Sequence, residues 1–227
     1  MGKLNLYGDS LLKTTGQHGA DISGQRIDDL DKENIKYVLD GHNLKGLDVG
    51  CGYGFHSIRL SLLNANMYLI DLIDISKYVE NLNNMINFHF PVKYKRLDIN
   101  ELQPEDIPDD LDFLYSQRFI HYLTFEKALH FLKVVSKKMK PNGRIFISAS
   151  GINSELSNNY PHKEIEVRKR FCKLSSLMGE KHNILEPVCL YSKDDMCLLL
   201  NFSHFKPVKI WESDFGNIKA IAENTAK

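Results

Sequence analysis

One short stretch of this sequence has the residue types and the spacing that would hold a small ligand. Residues 48–54 alternate one acidic residue and three glycines with other residues: Asp48, Gly50, Gly52 and Gly54. Glycine has no Cβ, so the backbone can turn tightly there and approach a ligand closely. The apolar residues before the turn predict a buried strand, and 55–65 has helical spacing, with Ile58 and Leu62 on one face. A strand, a glycine turn and a helix predict the start of a nucleotide-binding unit.

The spacing of the glycines argues against a dinucleotide cofactor. Dinucleotide sites use the pattern G-x-G-x-x-G, with the pyrophosphate at a helix N-terminus. Counted from Gly50, the third glycine position holds Phe55, and counted from Gly52 it holds Ser57. A carboxylate at position 48 would repel a pyrophosphate and attract a positively charged amino group. The stretch therefore predicts a cationic ligand.

Residues 46–54 resemble motif I of the class I S-adenosylmethionine-dependent methyltransferases. The resemblance implies S-adenosyl-L-methionine as the cofactor, bound by Asp48, Gly50, Cys51, Gly52 and Gly54. It also implies an α/β fold, a doubly wound and mostly parallel seven-stranded sheet with a C-terminal antiparallel hairpin. Over 46–150 the resemblance extends to individual residues, whereas over 190–225 it rests only on the pattern of helix and strands.

Two carboxylates compete for the ribose of this cofactor. Asp71 ends a second predicted strand, 67–71, and a carboxylate can accept two hydrogen bonds from a vicinal diol. Asp74 lies three residues further on, in a similar context. Spacing from motif I favours Asp71, and Asp74 is then predicted to cap the next helix.

The third and fourth predicted strands, 92–97 and 111–116, extend the resemblance. After the third strand the family places an acidic residue near the adenine amino group and a neighbour that packs on the ring. Asp98 and Ile99 match these positions. The end of the fourth strand faces the transferred methyl group in the family, so Ser116 is predicted to line the cofactor site.

The residues after the fourth strand are candidates for catalysis. Gln117 and Arg118 are expected to line the pocket, and His121 could act as a general base near neutral pH. The alternative for His121 is packing on a helix. The segment contains neither Asn-Pro-Pro-Tyr nor Asp-Pro-Pro-Tyr and no cysteine. These absences argue against methylation of exocyclic amines and of pyrimidine carbon 5.

Residues 149–190 do not fit the alternating pattern of the fold. Insertions at the carboxyl edge of such a sheet lie over the ligand crevice, so the segment 151–189 is expected to shape the acceptor site. Tyr160, His162 and Arg168 are the predicted contacts, with Tyr160 as a catalytic candidate. The alternative is a peripheral helical hairpin with solvated arginines.

The remaining segments complete the predicted domain, which spans 1–227. An N-terminal extension, 1–40, is a lid over the cofactor or a surface extension, with Tyr7, Gln17 and His18 as its polar candidates and a helix over 32–39. A helix over 124–140 has an apolar face, and Pro141-Asn142-Gly143 ends it. Ser192 opens a further helix with a capping box, and 207–212 and 218–222 predict the terminal hairpin.

Composition limits the partners. The chain of 227 residues contains 29 basic and 29 acidic residues, so a dedicated nucleic-acid binder is not expected. A small-molecule acceptor is the first expectation. The alternatives are an RNA or protein acceptor and a non-catalytic regulatory protein that binds S-adenosylmethionine. The docking patch for RNA or protein would be Arg168, Lys169, Arg170 and Lys173.

Four unpaired cysteines and the lack of a signal peptide or membrane span predict a cytoplasmic protein without a metal site.

Overall fold

The structure, a computed structural model, describes residues 27–226. The predicted lid candidates Tyr7, Gln17 and His18 lie outside this range. Within it, the helices and strands run in the order α1 (Asp29–Asp40), β1 (Lys45–Val49), α2 (Phe55–Leu62), β2 (Asn66–Asp71), α3 (Ser76–Met85), β3 (Lys93–Arg96), β4 (Leu111–Ser116), α4 (Phe125–Lys138), β5 (Met139–Ala149), α5 (Ser176–His182), α6 (Lys193–Phe202), β6 (Phe205–Glu212) and β7 (Ile218–Asn224).

The strands form one seven-stranded sheet in the order β3-β2-β1-β4-β5-β7-β6. Strands β1 to β5 are mutually parallel, and β7 runs antiparallel to both of its neighbours, β5 and β6. This is the predicted sheet, including the terminal hairpin. Because β1, β2 and β4 end side by side, the residues that follow them meet at one edge, called the carboxyl edge below.

The two faces of the sheet carry separate apolar cores. Side chains of α4 and α6 pack with alternate strand residues such as Leu47 and Leu114. Side chains of α1, α2 and α3 pack on the opposite face, against residues such as Phe113 and Tyr115. The alternation follows the two-residue period of a strand.

The predicted apolar face of α4 is confirmed, because Ala128, Phe131, Leu132 and Val135 are buried; Met139 is buried too but is the first residue of β5. The predicted end of this helix is wrong: α4 ends at Lys138, and Pro141-Asn142-Gly143 lies within β5, where Asn142 has a left-handed φ of 61°. The capping box of α6 is also present: the Ser192 hydroxyl accepts from the Asp195 N–H, and the Asp195 carboxylate accepts from the Ser192 N–H. No helix within residues 27–226 is long and apolar enough to cross a membrane.

The predicted face of α2 and the predicted start of α1 are wrong in part. In α2 the side chains of His56, Ser57 and Leu60 are buried, whereas Leu62 is 59% exposed. The predicted first helix, 32–39, begins earlier, at Asp29, with Asp28 as its N-cap. Acidic residues at a helix N-terminus accept its free N–H groups and complement its dipole, so the acidic cluster of Asp28, Asp29 and Asp31 forms the start of this helix.

The segment between β5 and α6 forms a small lobe, defined here as residues 151–190. It contains the short helix α5, several single turns and its own apolar cluster: Leu156, Tyr160, Leu174, Met178, Ile184, Val188 and Leu190. A backbone bridge between Gly151 and Tyr191 closes the lobe where it joins the sheet. The lobe therefore begins at the carboxyl end of β5. The assignment of 151–189 to the acceptor site stays a prediction. So does the interpretation of 1–227 as a single domain with an N-terminal extension over 1–40.

Candidate active site

The glycine turn after β1 has a backbone that only glycine adopts without strain. Gly50, Gly52 and Gly54 have φ angles of 72°, 56° and 72°, in the left-handed region that disfavours residues with a Cβ. A Cβ on Gly50 would lie 2.5 Å from the ring of Phe119, which follows β4. The turn thus packs directly against the end of β4.

Asp71 ties the end of β2 to this turn. Its Oδ2 accepts a hydrogen bond of 2.7 Å from the Gly52 N–H, and its Oδ1 accepts one of 3.0 Å from the Ile73 N–H. Asp74 is exposed and accepts from the Ser76 N–H at 3.0 Å, but the N-cap of α3 is Ile75, so the predicted cap at Asp74 is wrong by one residue. It lines a cavity of about 450 Å³ together with Tyr53 and Tyr78.

Asp48 is the buried acid of the site. It is 2% exposed, and its Oδ2 accepts a hydrogen bond of 2.6 Å from the Ser57 hydroxyl. Burial raises the pKa of Asp48 to about 7, the hydrogen bond from Ser57 opposes that rise, and the carboxylates of Asp71 and Asp31 add to it. A cationic ligand close to this group would favour its ionised form.

The residues expected at the adenine and at the methyl group lie at the same edge. Asp98 caps a single turn by accepting from the Asn100 N–H at 2.9 Å, and Ile99 packs partly buried against the core. Ser116 is fully buried, and its hydroxyl donates to the Val49 carbonyl at 2.9 Å. Cys51 is buried in the glycine turn, where burial raises the pKa of its thiol well above the usual value.

The catalytic candidates occupy different surroundings. Arg118 follows β4 with φ 53°, and its N–H lies 2.9 Å from the Ser148 hydroxyl. His121 is 1% exposed, and its carbonyl accepts from the Cys189 N–H of the lobe. The Tyr160 hydroxyl is buried within the lobe, hydrogen-bonded to the Arg170 carbonyl and 2.7 Å from the Val188 carbonyl. Its contacts in this structure are therefore within the lobe.

A buried polar cluster beside the site was not predicted. It joins α1, α2 and β4 through the side chains of Asp31, Asn34, His56 and Tyr115. The pKa of His56 is lowered to about 3, chiefly by burial and further by the charge of Arg59. The partners Asp31 and Tyr115 are 84 residues apart, so spacing could not pair them. The sequence held one sign of this cluster, namely that one side of α2 carries the polar residues His56, Ser57 and Ser61.

A second unpredicted group holds the start of α1 against the hairpin. Lys219 of β7 is 4% exposed and donates to Asp28 at 2.7 Å and to Asp29. Asp28 also accepts from the Gln117 side-chain amide at 2.6 Å. The acidic cluster thus connects α1 with the residue that follows Ser116.

A comparison with known protein families identifies the type of domain that carries this carboxyl edge. Residues 47–147 match a sequence profile described as a methyltransferase domain. This match spans 101 of the 227 residues and identifies that stretch as a methyltransferase domain. The profile begins within β1 and ends within β5, so it covers the glycine turn, Asp71, Asp98 and the end of β4. The cofactor assigned to this domain is S-adenosyl-L-methionine, whose product S-adenosylhomocysteine is bound in solved structures that share this fold.

Solved structures share the fold of this methyltransferase. The PH0226 protein of Pyrococcus horikoshii OT3 is 17% identical, with a TM-score of 0.67 and 93% of each chain covered. The 1,6-didemethyltoxoflavin-N1-methyltransferase of Burkholderia thailandensis is 14% identical, with a TM-score of 0.63, and the match covers 91% of this chain and 84% of that one. The pyocyanin biosynthetic protein PhzM is 18% identical, with a TM-score of 0.59; the match covers 86% of this chain and only 54% of that one. No curated protein sequence matches the chain.

Proposed function

We propose that this methyltransferase transfers a methyl group from S-adenosylmethionine to a small-molecule acceptor at the carboxyl edge of its sheet. The observation that carries the proposal is the convergence of a buried carboxylate, Asp48, and a left-handed glycine turn on the end of β4. A ligand with an ammonium and a sulfonium suits this carboxylate, and the turn leaves no side chain between the backbone and the ligand.

The residues of the edge fit this cofactor in a consistent order. We assign Asp48 and the glycine turn, including Cys51, to the amino-acid end of the cofactor and Asp71 to the ribose. Asp98 and Ile99 are assigned to the adenine, and Ser116 to the region of the methyl group. Both Asp71 oxygens already accept a backbone N–H, and each carboxylate oxygen can accept a second hydrogen bond.

Asp74 is the alternative ribose ligand. It is exposed and borders a cavity whose other lining residues include the aromatic Tyr53 and Tyr78. We favour Asp71 because its carboxylate contacts the glycine turn itself, whereas Asp74 contacts the start of α3. Separate substitution of the two acids distinguishes these assignments.

The bound cofactor supplies a methyl group on a positively charged sulfur, which is a good leaving group. The chain's own task is to align the acceptor and to exclude water, and alignment alone is worth about 7–11 kcal/mol of barrier. We propose that Arg118 and His121, which follow β4, face the acceptor. His121 could take a proton if the acceptor atom must lose one. The hydroxyl of Tyr160 contacts backbone carbonyls in the lobe, so a direct role for it requires movement of the lobe.

The side chains of the basic stretch in the lobe favour a small acceptor over RNA or protein. Arg170 is buried, donates to the Leu190 carbonyl at 2.8 Å and pairs with Asp195 at 2.5 Å, so it cannot join a docking patch. Arg168 pairs with Glu126 and lies over the Phe125 ring, and Lys169 pairs with Glu166 at 2.8 Å. The Burkholderia structure binds the small molecule 1,6-didemethyltoxoflavin.

The test is transfer of radioactive methyl from S-adenosylmethionine to a panel of small molecules, total RNA and a protein extract, at low and at high salt. We expect label in a small molecule, with little dependence on salt. Labelled RNA, in an amount that falls steeply as the salt concentration rises, would show that the acceptor is RNA and not a small molecule. Tight binding of the cofactor with no transfer to any of the three would favour a regulatory protein. A cytoplasmic location stays a prediction of the sequence.

A further inference from the structure

Asp31 of α1 lies between two buried ring side chains from two other elements. Its Oδ1 accepts a hydrogen bond from the hydroxyl of Tyr115 in β4 and lies 3.3 Å from Nδ1 of His56 in α2. The His56 ring stacks on the Tyr115 ring at a centroid distance of 4.1 Å. Asp31, His56 and Tyr115 are 3%, 2% and 3% exposed, so this contact is closed to solvent.

The two partners of Asp31 belong to the segments that border the proposed cofactor site. His56 is the second residue of α2 and follows Gly54 by two positions. Tyr115 precedes Ser116 and lies beside Asp48 in the pairing of β1 with β4. Asp31 therefore connects the start of α2 and the end of β4 through a single carboxylate.

Two contacts of His56 bear on which of its nitrogens carries the proton, and in the present geometry Nδ1 makes no hydrogen bond within residues 27–226. Its Nε2 lies 2.9 Å from the side-chain oxygen of Asn34, while its Nδ1 faces Asp31. A neutral imidazole has one N–H and cannot donate to both oxygens. The Asn34 amide nitrogen has no hydrogen-bond partner within residues 27–226 in its present orientation. Turning this amide by 180° lets it donate to Nε2 and leaves the Nδ1–H for Asp31.

We propose that Asp31 is a positioning residue of the methyltransferase: as a carboxylate it holds His56 in the Nδ1–H tautomer and holds the Tyr115 hydroxyl, and so fixes the start of α2 and the end of β4 around the cofactor. The proposal rests on the proposed function, because it assigns the cofactor to the space between these two segments. Asn34 supports the same tautomer from the other side of the ring.

The first test compares Asp31→Asn with the wild type in calorimetric titration with S-adenosylhomocysteine and in thermal unfolding. In the wild type the Asp28 N–H donates to Asp31 Oδ2 at 2.7 Å. The amide that this substitution introduces has one NH₂ group, which must face either this N–H or the Tyr115 and His56 side chains, so one pair of donors is left facing each other. We expect the affinity to fall about tenfold. Tyr115→Phe removes only the hydroxyl, and it provides the same test if Asp31→Asn does not fold.

The matched control is Asn224→Ala. Asn224 is 2% exposed and donates to the carbonyls of Ser136 and Met139, next to the start of β5 and far along the strand from the carboxyl edge. It should lower the unfolding midpoint and leave the affinity unchanged. An Asp31→Asn protein that folds and binds S-adenosylhomocysteine as tightly as the wild type would overturn the positioning role.

The second test reads the tautomer from the ¹⁵N chemical shifts of the His56 ring. We expect protonated Nδ1 and unprotonated Nε2 in the wild type, and loss of this preference in Asp31→Asn. A protonated Nε2 in the wild type would contradict the proposal. This reading does not involve the cofactor, so a wild type that failed to bind S-adenosylhomocysteine would refute the proposed function and leave the assignment of the tautomer testable.

Discussion

The face of the sheet beneath α4 and α6 is packed mainly by aliphatic and aromatic side chains, whereas the face beneath α1 and α2 also buries Asp31, Asp48 and His56. Burying an ionisable group costs free energy unless partners compensate, and apolar packing of the same volume is often more stable. The polar face lies beside the glycine turn, and the apolar face supports the sheet. The difference fits our proposal that the polar face serves ligand binding, whereas the apolar face serves stability.

The largest expected effect comes from the apolar face. Leu132 in α4 is fully buried, and Leu132→Ala should lower the free energy of unfolding by about 2–5 kcal/mol, because it removes apolar contacts and leaves a cavity. Denaturant unfolding measures this change. The folded variant should bind S-adenosylhomocysteine like the wild type, and a loss of affinity equal to that of the polar-face variants would break the comparison between the faces.

Asp48→Asn should have the opposite effect on stability. The folded-state pKa of Asp48 is about 7, above an unfolded value of about 3.9, so the folded protein loses stability as pH rises through this range. An amide does not titrate, so the variant should be more stable than the wild type at pH 8, by up to about 4 kcal/mol since one pKa unit corresponds to about 1.4 kcal/mol.

The measurement is unfolding of both proteins from pH 4 to pH 8. The difference should shrink to about 0.5 kcal/mol near pH 4, where Asp48 is protonated in the folded protein and about half protonated in the unfolded one. Binding of S-adenosylmethionine should weaken in the same variant, since the carboxylate no longer faces the cation. A variant that is less stable at pH 8 and still binds normally would show that Asp48 serves structure and not the ligand.

Gly50→Ala should cost about 1–2 kcal/mol of stability through its φ of 72° alone, with a further cost from the clash with Phe119. Because the glycine turn is assigned to the cofactor, affinity for S-adenosylhomocysteine should fall at least tenfold. Gly41→Ala is the control, since its added Cβ would also press on a side chain, that of Leu44 at 2.7 Å, but Gly41 has an ordinary φ of −103° and follows α1. If the two variants bind equally well, the turn does not approach the cofactor.

The smallest effects separate the two candidate ribose acids. Asp71→Ala should weaken S-adenosylhomocysteine binding by about tenfold, since it removes a charged acceptor from the ligand and a bond to the Gly52 N–H. Asp74→Ala should change the affinity less than twofold. Calorimetric titration measures both, and the reverse order would assign the ribose to Asp74 and to the cavity beside Tyr53.

Local patterns in the sequence were sufficient for most of the fold. The apolar face of α4, the capping box at Ser192 and the alternating strands are set by neighbours within a few residues, and each is confirmed. The family comparison confirmed the fold class and the cofactor, while the roles of individual site residues stay predictions. The charge of the chain and the pattern after β4 could not identify the acceptor.

The polar face could not be predicted because its partners are distant in sequence. Lys219 meets Asp28 across 191 residues, and Tyr115 meets Asp31 across 84. Helical periodicity assigned Leu62 to the core of α2, but the structure buries His56 and Ser57, whose partners Asp31 and Asp48 come from other elements. Likewise Arg170 suggested a basic surface in sequence, and the fold pairs it with Asp195 of α6.

The most direct test of the central claim is thermal unfolding of the wild type with S-adenosylmethionine, S-adenosylhomocysteine or NAD at equal concentrations. A ligand present at about 100 times its dissociation constant adds about 2.7 kcal/mol to the free energy of unfolding. We predict a higher midpoint with both adenosyl ligands and no change with NAD. A rise with NAD alone would contradict the assignment of the glycine turn and of Asp48 to a cationic cofactor.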